Sequence, residues 1–428
     1  MALEPFRFIH ATGLHLDQPL LAAGGLSGED RHLVEDATLR AFGNLIDTCL
    51  SEQVEFLLLT GDAFDAPTKS LRARRALETG LARLSEHKIP VIIMPGSIDP
   101  PAAWRKLKLP SDVTVFLGED DEPVRLTRDG KPLAVIYSVA NAQFDDSHRR
   151  APSFTRKKNG FRIGLVGAGT AVQFDGNTPR PLAEPKSPTG PAAAVQAAIA
   201  AELDYLALGS GERGQLKFKE GIGHCPGDLQ PRSPESTGPS GFSLVDVRSE
   251  GSCQCRLIPA APVRYENVNV EVGPDLSFDG LVEKMSLSLL EHEALPSEEL
   301  WLVRWTLRGC GELFNSLADR KRQDELFEFV DHELGSTGGP RRRHQLNRVP
   351  QAISVSDDID DGPHQLLLDF LEQIDVGLMP AIETLRDDAA TANWPQAPWA
   401  RHVKLAVQRM KVQNVAEEAR IVGLGVLS

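Results

Sequence analysis

Over the first two hundred positions, short apolar blocks alternate with longer stretches of helical periodicity. Phe6–His10, Val54–Thr60, Val91–Met94, Leu133–Val139, Phe161–Val166 and Tyr205–Leu208 are compact, mostly apolar runs of strand length. Between the first two runs, Asp30–Ser51 carries Leu33, Ala37, Phe42, Leu45, Ile46 and Cys49 at the spacing of one helix face. Leu71–His87 predicts a second helix and the Ala-rich stretch Ala192–Glu202 a third. Strands alternating with helices predict an α/β layered sheet. The Pro- and Gly-rich stretch 177–191 reads as a loop.

The pattern changes near Tyr265. An alternating strand (Val268, Val270, Val272), a helix over Leu281–Leu295 and a strand over Leu300–Leu307 predict a small, separate α/β unit. Gly335–Arg343, with its Arg341-Arg342-Arg343 run, reads as a linker or solvated loop. Two helical stretches follow, Pro363–Arg386 and Trp399–Glu418, with Pro380 expected to kink or interrupt the first. The predicted domains are therefore 1–264, 265–335 and 336–428.

With 428 residues, 41% hydrophobic and 25% charged, the chain has the composition of a globular protein of two or three domains. Its net charge of -14 changes the functional picture. Sequence-independent DNA binders gain affinity by neutralising phosphates with Lys and Arg, so contact with DNA is expected only within a complex. The five cysteines lack zinc-ligand spacing, although Cys253 and Cys255 should point the same way on a strand. No signal peptide and no apolar run of membrane-spanning length is visible, which predicts a cytoplasmic protein.

Ligands of an open α/β sheet collect beyond the carboxyl ends of its strands. The segments there are His10-Ala11-Thr12-Gly13-Leu14-His15-Leu16-Asp17, Gly61-Asp62-Ala63-Phe64-Asp65, Pro95-Gly96-Ser97-Ile98-Asp99-Pro100, Gly167-Ala168-Gly169 and Gly209-Ser210-Gly211-Glu212. On their own, His10 reads as a hydrogen-bonded core histidine and His15 as a packed one. Asp65 reads as a helix cap or loop tie, Asp99 as a turn or cap residue, and Glu212 as an ion-pair partner of Arg213.

The order of these segments resembles the calcineurin-like metallophosphoesterases of the SbcD/YhaO DNA-nuclease type. Their loops run DxH, GDxxD, GNHD, a lone His, and GHxH. Gly61-Asp62-Ala63-Phe64-Asp65 is intact, and Tyr205-Leu206-Ala207-Leu208-Gly209 is similar. Cys225-Pro226-Gly227-Asp228-Leu229-Gln230-Pro231-Arg232 resembles the family's PGNxQGR turn, and Thr237-Gly238-Pro239-Ser240-Gly241 follows it. The likeness covers about 260 residues and weakens towards residue 330. It implies a four-layer α/β/β/α sandwich, a small α/β capping domain and a C-terminal helical segment.

Such centres use two metal ions about 3.5–4 Å apart to activate water and stabilise in-line attack at phosphorus. Carried over residue by residue, the family's first-loop Asp falls on Gly13 and its third-loop Asn on Ser97. The catalytic His falls on Ile98, the lone His on Gly167, and the GHxH pair on Ser210 and Glu212. His15 and Asp62 alone keep the family's residue type. The expected remnant is one site of His15, Asp62 and Glu212, able at most to hold a single Mn²⁺, with no catalytic residue. The resemblance thus implies a catalytically degenerate subunit in DNA repair, a scaffold or regulator of an SMC-like ATPase of the SbcC/YhaN type. The family also forms homodimers. The alternative is a weakly active metal-dependent phosphoesterase or nuclease built on the remnant site. An apolar stripe over Leu366–Ile382 suits either a partner's groove or the chain's own core.

Overall fold

The structure, a computed structural model, describes residues 3–21, 26, 28–118, 121–140, 160–167, 172–175, 178–181, 203–209, 211–218, 221–335, 339–350, 377–388, 407 and 415. It divides into two units: residues 1–266, 293–303 and 338–343, and residues 267–292, 304–337 and 344–428. The first boundary falls inside a strand near the expected position 264. The returns of 293–303 and 338–343 to the first unit have no counterpart in the sequence reading.

The first unit is built on two six-stranded sheets. One contains β1 (Phe6–Thr12), β2 (Leu57–Thr60), β3 (Val91–Met94), β4 (Val113–Val115), β13 (Gly241–Val247) and β14 (Cys253–Pro259), in the order β14-β13-β1-β2-β3-β4. The other contains β5 (Val124–Arg128), β6 (Lys131–Ala140), β7 (Phe161–Val166), β10 (Tyr205–Leu208), β11 (Gly214–Lys217) and β12 (Ile222–Cys225), in the order β11-β12-β10-β7-β6-β5. A two-stranded ribbon, β8 (Val172–Asp175) with β9 (Thr178–Pro181), stands apart.

Side-chain alternation explains why the strands read as continuous apolar runs. Phe6 and Phe8 of β1, Leu58 of β2, Ile92 and Met94 of β3, and Val245 of β13 face the core between the sheets. Phe161, Ile163, Tyr205 and Ala207 meet them from the second sheet. The intervening residues Ile9, Leu57, Leu59, Val91, Ile93 and Leu244 face outward under two helices. These are α1 (Gly28–Ser51) and α2 (Leu71–Glu86), which bury Phe42, Leu45, Leu77 and Leu81 on that face. The single turn α3 (Pro101–Trp104) adds Trp104 to the same core. Ser70 starts α2 by accepting from Ala73 N at 3.2 Å. Gly80 lets α1 and α2 approach, since a Cβ there would lie 2.9 Å from Phe42 Cζ.

Helices, sheet and sheet thus supply three of the four expected layers. The outer face of the second sheet buries Val135, Val166, Leu206 and Leu208. The helix expected over Ala192–Glu202 lies outside the described residues. Cys253 and Cys255 do share a face, packed against the core between the sheets.

The second unit contains the remainder of β15 (Val263–Val272), β16 (Leu300–Gly309) and β17 (Arg341–Pro350), which form a three-stranded sheet. It also holds α4 (Phe278–Leu290), the short α5 (Glu312–Ser316) and α6 (Arg320–Glu333). Ser277 and Asp319 cap α4 and α6 through their side chains. The α4 helix ends earlier than expected, and α6 was not predicted, because its apolar positions are diluted by Arg320, Lys321, Arg322, Asp324 and Glu325.

The expected loop over 335–343 is corrected in part. Arg341, Arg342 and Arg343 open β17, and within the first unit Arg341 and Arg343 ion-pair with the buried Asp30. Residues 377–388 are helical, with Pro380 in the first described turn; the stretch leading into it lies outside the described residues. The rest of the two predicted C-terminal helices lies outside the described residues, apart from positions 407 and 415. No described helix is long and apolar enough to cross a membrane.

Candidate metal centre

The loops after β1, β2 and β3 are laced together by their backbones. Gly13 N donates to Gly61 O at 3.3 Å, His15 N to Asp62 O at 3.0 Å, and Leu16 N to Ala63 O at 3.1 Å. Gly61 N donates to Met94 O at 2.7 Å, and Ala66 N to Ile98 O at 3.0 Å. The crossing forces left-handed backbone at His15 (φ 44°) and Asp62 (φ 54°), a conformation that costs a non-glycine residue about 1 kcal/mol or more.

Two carboxylates tie the third loop to the second. Asp62 Oδ1 accepts from Ser97 N at 3.0 Å, Ser97 Oγ at 3.2 Å and Ile98 N at 3.2 Å. Asp99, fully buried, accepts from Asp62 N at 3.0 Å, Ala63 N at 3.1 Å, Gly96 N at 2.7 Å and Trp104 Nε1 at 3.1 Å. Burial pushes the Asp99 carboxyl up to about 7, while the donors around it pull the other way. Four N–H donors occupying both oxygens favour the ionised form, which has no hydrogen to place against them. Asp65 ties the loop rather than capping α2: its N–H donates to Asp17 Oδ1 at 2.8 Å, and Thr68 Oγ1 donates to its Oδ2 at 2.7 Å. His10, as expected, is a hydrogen-bonded core residue, with Tyr205 OH at 2.9 Å and Thr60 Oγ1 at 2.8 Å.

The Pro226–Arg232 turn brings in two residues to which the sequence assigned no role at the centre. It docks on the first loop through Leu229 N, which reaches Thr12 O at 3.2 Å and Gly13 O at 3.3 Å. Asp228 thereby comes to lie against Gly13. A Cβ on Gly13 would stand 2.9 Å from Asp228 Cγ and overlap its Oδ1. The space in front of Gly13, where the family's first-loop Asp would project, is filled by another carboxylate from a different loop. Asp228 Oδ1 is 3.9 Å from His15 Nε2. Arg232 Nη2 is closer to that nitrogen, at 3.2 Å, and Arg232 Nη1 donates to Gln18 Oε1.

Burial and the Arg232 charge, against Asp62, hold the His15 imidazole down to about 4. Burial raises Asp228 to about 6; Asp62 adds to the rise and Arg232 opposes it.

Of the other positions that are described, Ile98 and Gly167 carry no ligand side chain. Ser97 is exposed, and Ile98 faces a cleft of about 690 Å³ whose lining includes Phe64, Leu71, Leu77, Pro100 and Leu107. Gly167 is closed rather than merely empty, because a Cβ there would overlap the Pro95 carbonyl oxygen. Ser210 lies outside the described residues. Glu212 is solvent-exposed, and its neighbour Arg213 donates to Pro239 O at 3.3 Å. Among the described residues no group of three or more His, Cys, Asp or Glu is spaced to hold a metal ion. The set His15, Asp62 and Glu212 is therefore not assembled; the acid that lies with His15 and Asp62 is Asp228.

A pair of divalent cations does not fit these residues. Asp62 Oδ1 is committed to three donors of the third loop, His15 Nε2 faces a guanidinium, and Gly13, Ile98 and Gly167 offer no ligand atom. Asp228 and Arg232 escaped the sequence reading because a Pro-Gly-Asp turn says nothing about what it docks against.

No protein-family model matches the chain. A relative in Bacillus subtilis (strain 168), described as the uncharacterised metallophosphoesterase YhaO, is 26% identical over 337 residues, covering 77% of this chain and 78% of the relative. Solved structures that resemble it include TT1561 of Thermus thermophilus, with a TM-score of 0.36, 14% identity, and 59% of this chain and 99% of that one covered. A dimetal phosphatase from Danio rerio gives a TM-score of 0.37, 11% identity, and coverage of 60% and 100%. In the order of its loop motifs, their placement after β1, β2 and β3, and its sequence similarity to YhaO, the chain resembles the calcineurin-like metallophosphoesterases.

Proposed function

We propose that this chain is a catalytically silent metallophosphoesterase of the SbcD/YhaO type that works by contact, in the cytoplasm, as a scaffold or regulator of an SMC-like ATPase in DNA repair. The observation that carries this reading is the third loop. Where phosphoryl chemistry needs an imidazole and an amide facing the metals, Ile98 and Ser97 stand instead, and the loop's N–H groups are spent on Asp62. The helix over 377–388 supports action by contact, since it leaves Met379 and Leu385 exposed. Most of the 366–382 stripe lies outside the described residues.

Mn²⁺-dependent hydrolysis of a nitrophenyl phosphodiester and of single-stranded DNA tests the silent centre. The expected rate equals that of His15→Ala; a rate that His15→Ala abolishes overturns it. Co-purification of the tagged chain with an SbcC/YhaN-type ATPase tests the partner, and failure of the two to associate removes the scaffold role. One observation favours a second reading, a weakly active phosphoesterase with one metal: Asp228 supplies a carboxylate beside His15 and Asp62. On that reading Asp228→Asn lowers a measurable rate.

A further inference from the structure

The cleft of about 690 Å³ that Ile98 faces has no part in the scaffold role. Its walls come from the loop after β2, the start of α2, and the stretch from Pro100 through α3 to Leu107. Phe64, Leu77, Ile98 and Leu107 line it, and Leu71 stands at its mouth, 81% exposed. Hydrogen bonds brace the walls at two points. Ala66 N donates to Ile98 O at 3.0 Å, and Arg74 Nη2 donates to Lys106 O at 3.0 Å. Phe64 is set edge-on against Trp104, with 5.1 Å between ring centroids. The hollow is thus formed before anything enters it. Its volume falls within the range of small-molecule pockets, about 300–1,000 Å³.

Five charged side chains border the cleft, and three of them are committed. Asp17 Oδ1 accepts from Asp65 N, and Asp65 Oδ2 accepts from Thr68 Oγ1, so both acids serve the loop. Arg74 is paired with Glu78 at 3.0 Å. Lys69 and Lys106 are exposed, and among the described residues neither side chain has a partner. An apolar hollow bordered by two uncommitted ammonium groups is complementary to an apolar body with an anionic head. The body leaves water on entering, while the head stays within reach of positive charge. Position 98, which the resemblance assigns to an imidazole, extends the apolar wall as isoleucine.

We propose that this cleft binds a small molecule with an apolar body and one anionic head. The body packs on Phe64, Leu77, Ile98 and Leu107, and the head lies within reach of the lysines at the border. The site needs neither metal nor hydrolysis, so it stands apart from the silent centre.

The full-length chain is titrated with anilinonaphthalene sulfonate and with its uncharged counterpart, phenylnaphthylamine, each followed by its fluorescence. One saturable site is expected, tighter for the sulfonate. Ile98→Ser should weaken both probes about tenfold, through loss of most of one apolar side chain from the wall. Lys69→Glu and Lys106→Glu together should weaken the sulfonate about fivefold and leave the amine unchanged. Both lysines are exposed, so that pair of exchanges stays decisive even if Ile98→Ser fails to fold. Leu290→Ser, which removes an exposed apolar side chain from α4, should change neither probe. No saturable binding, whether because the hollow stays empty or because a second copy or the chain's own remaining residues cover it, overturns the proposal. Equal effects of Ile98→Ser and Leu290→Ser do so as well, since they mark general adsorption. Equal effects of the lysine exchanges on the two probes remove the anionic head.

Discussion

Restoring a side chain at Gly13 should damage the protein, and Asp228 should be the reason. Gly13 has φ 56°, so Gly13→Ala meets the left-handed backbone cost of about 1–2 kcal/mol. The new methyl group also overlaps Asp228 Oδ1 and comes within 2.9 Å of its Cγ and 3.2 Å of its backbone. Asp228 is half-buried and held by the turn on the first loop, so it cannot simply swing into solvent. Overpacking of this kind costs about 1–3 kcal/mol. Together these give a loss of about 2–5 kcal/mol for Gly13→Ala. In an Asp228→Gly background the carboxylate is gone, and only the left-handed backbone and the close approach of the main chain at 228 still oppose the methyl. The cycle should therefore show a coupling of about 1–3 kcal/mol, where independent sites would give about 0.5 kcal/mol or less. Urea unfolding followed through Trp104, which donates to Asp99 beside the loops, supplies the four free energies. Equal losses for Gly13→Ala in both backgrounds would refute the account, and with it the claim that Asp228 has taken the first-loop position.

Three further outcomes are expected. Asp99→Asn replaces one of two accepting oxygens by an NH₂ that faces N–H donors, so chemical denaturation should show a loss of about 3 kcal/mol with metal absent throughout. Burial holds His224 down to about 4, below its unfolded value near 6.5. The unfolded chain then binds the extra proton, and stability is lost as pH falls from 6.5 towards 4; His224→Gln should remove up to about 3 kcal/mol of that loss in stability-versus-pH curves. Asp99 and Asp228, both raised, act oppositely over the same range, so only the difference between variant and wild type is diagnostic. Replacing Arg341 and Arg343 together by Ala leaves the buried Asp30 without either ion pair and should cost about 1–2 kcal/mol, the arginines themselves being half exposed.

Much of the first unit was legible because its strands are buried on both faces and its two long helices carry a clean apolar stripe. Phe6–His10 and Val91–Met94 could be placed almost to the residue. Strands β5, β11, β13 and β14 were not, since Val124–Arg128 and Cys253–Pro259 alternate weakly and carry charge. Helix α6 was hidden in the same way. At the centre, motif order singled out the loops after β1, β2 and β3, with Ser97, Ile98 and Gly167 at positions that the resemblance assigns to ligands. It could not reveal Asp228 and Arg232, whose roles depend on Leu229 docking on Thr12 and Gly13. Glu212 shows the converse failure, a suitable residue type at the right place in the string that the fold leaves in solvent.

The loop ties made by Asp62 and Asp99 bear on how such motifs should be read. Both acids knot the second and third loops with side-chain ties added to the backbone bonds between them, a burden that exists whether or not any phosphate is ever cleaved. An intact GDxxD string in a chain like this one therefore testifies to architecture. Diagnosis of a working hydrolase has to come from side chains that the knot does not use, such as that of Ile98, which faces the cleft.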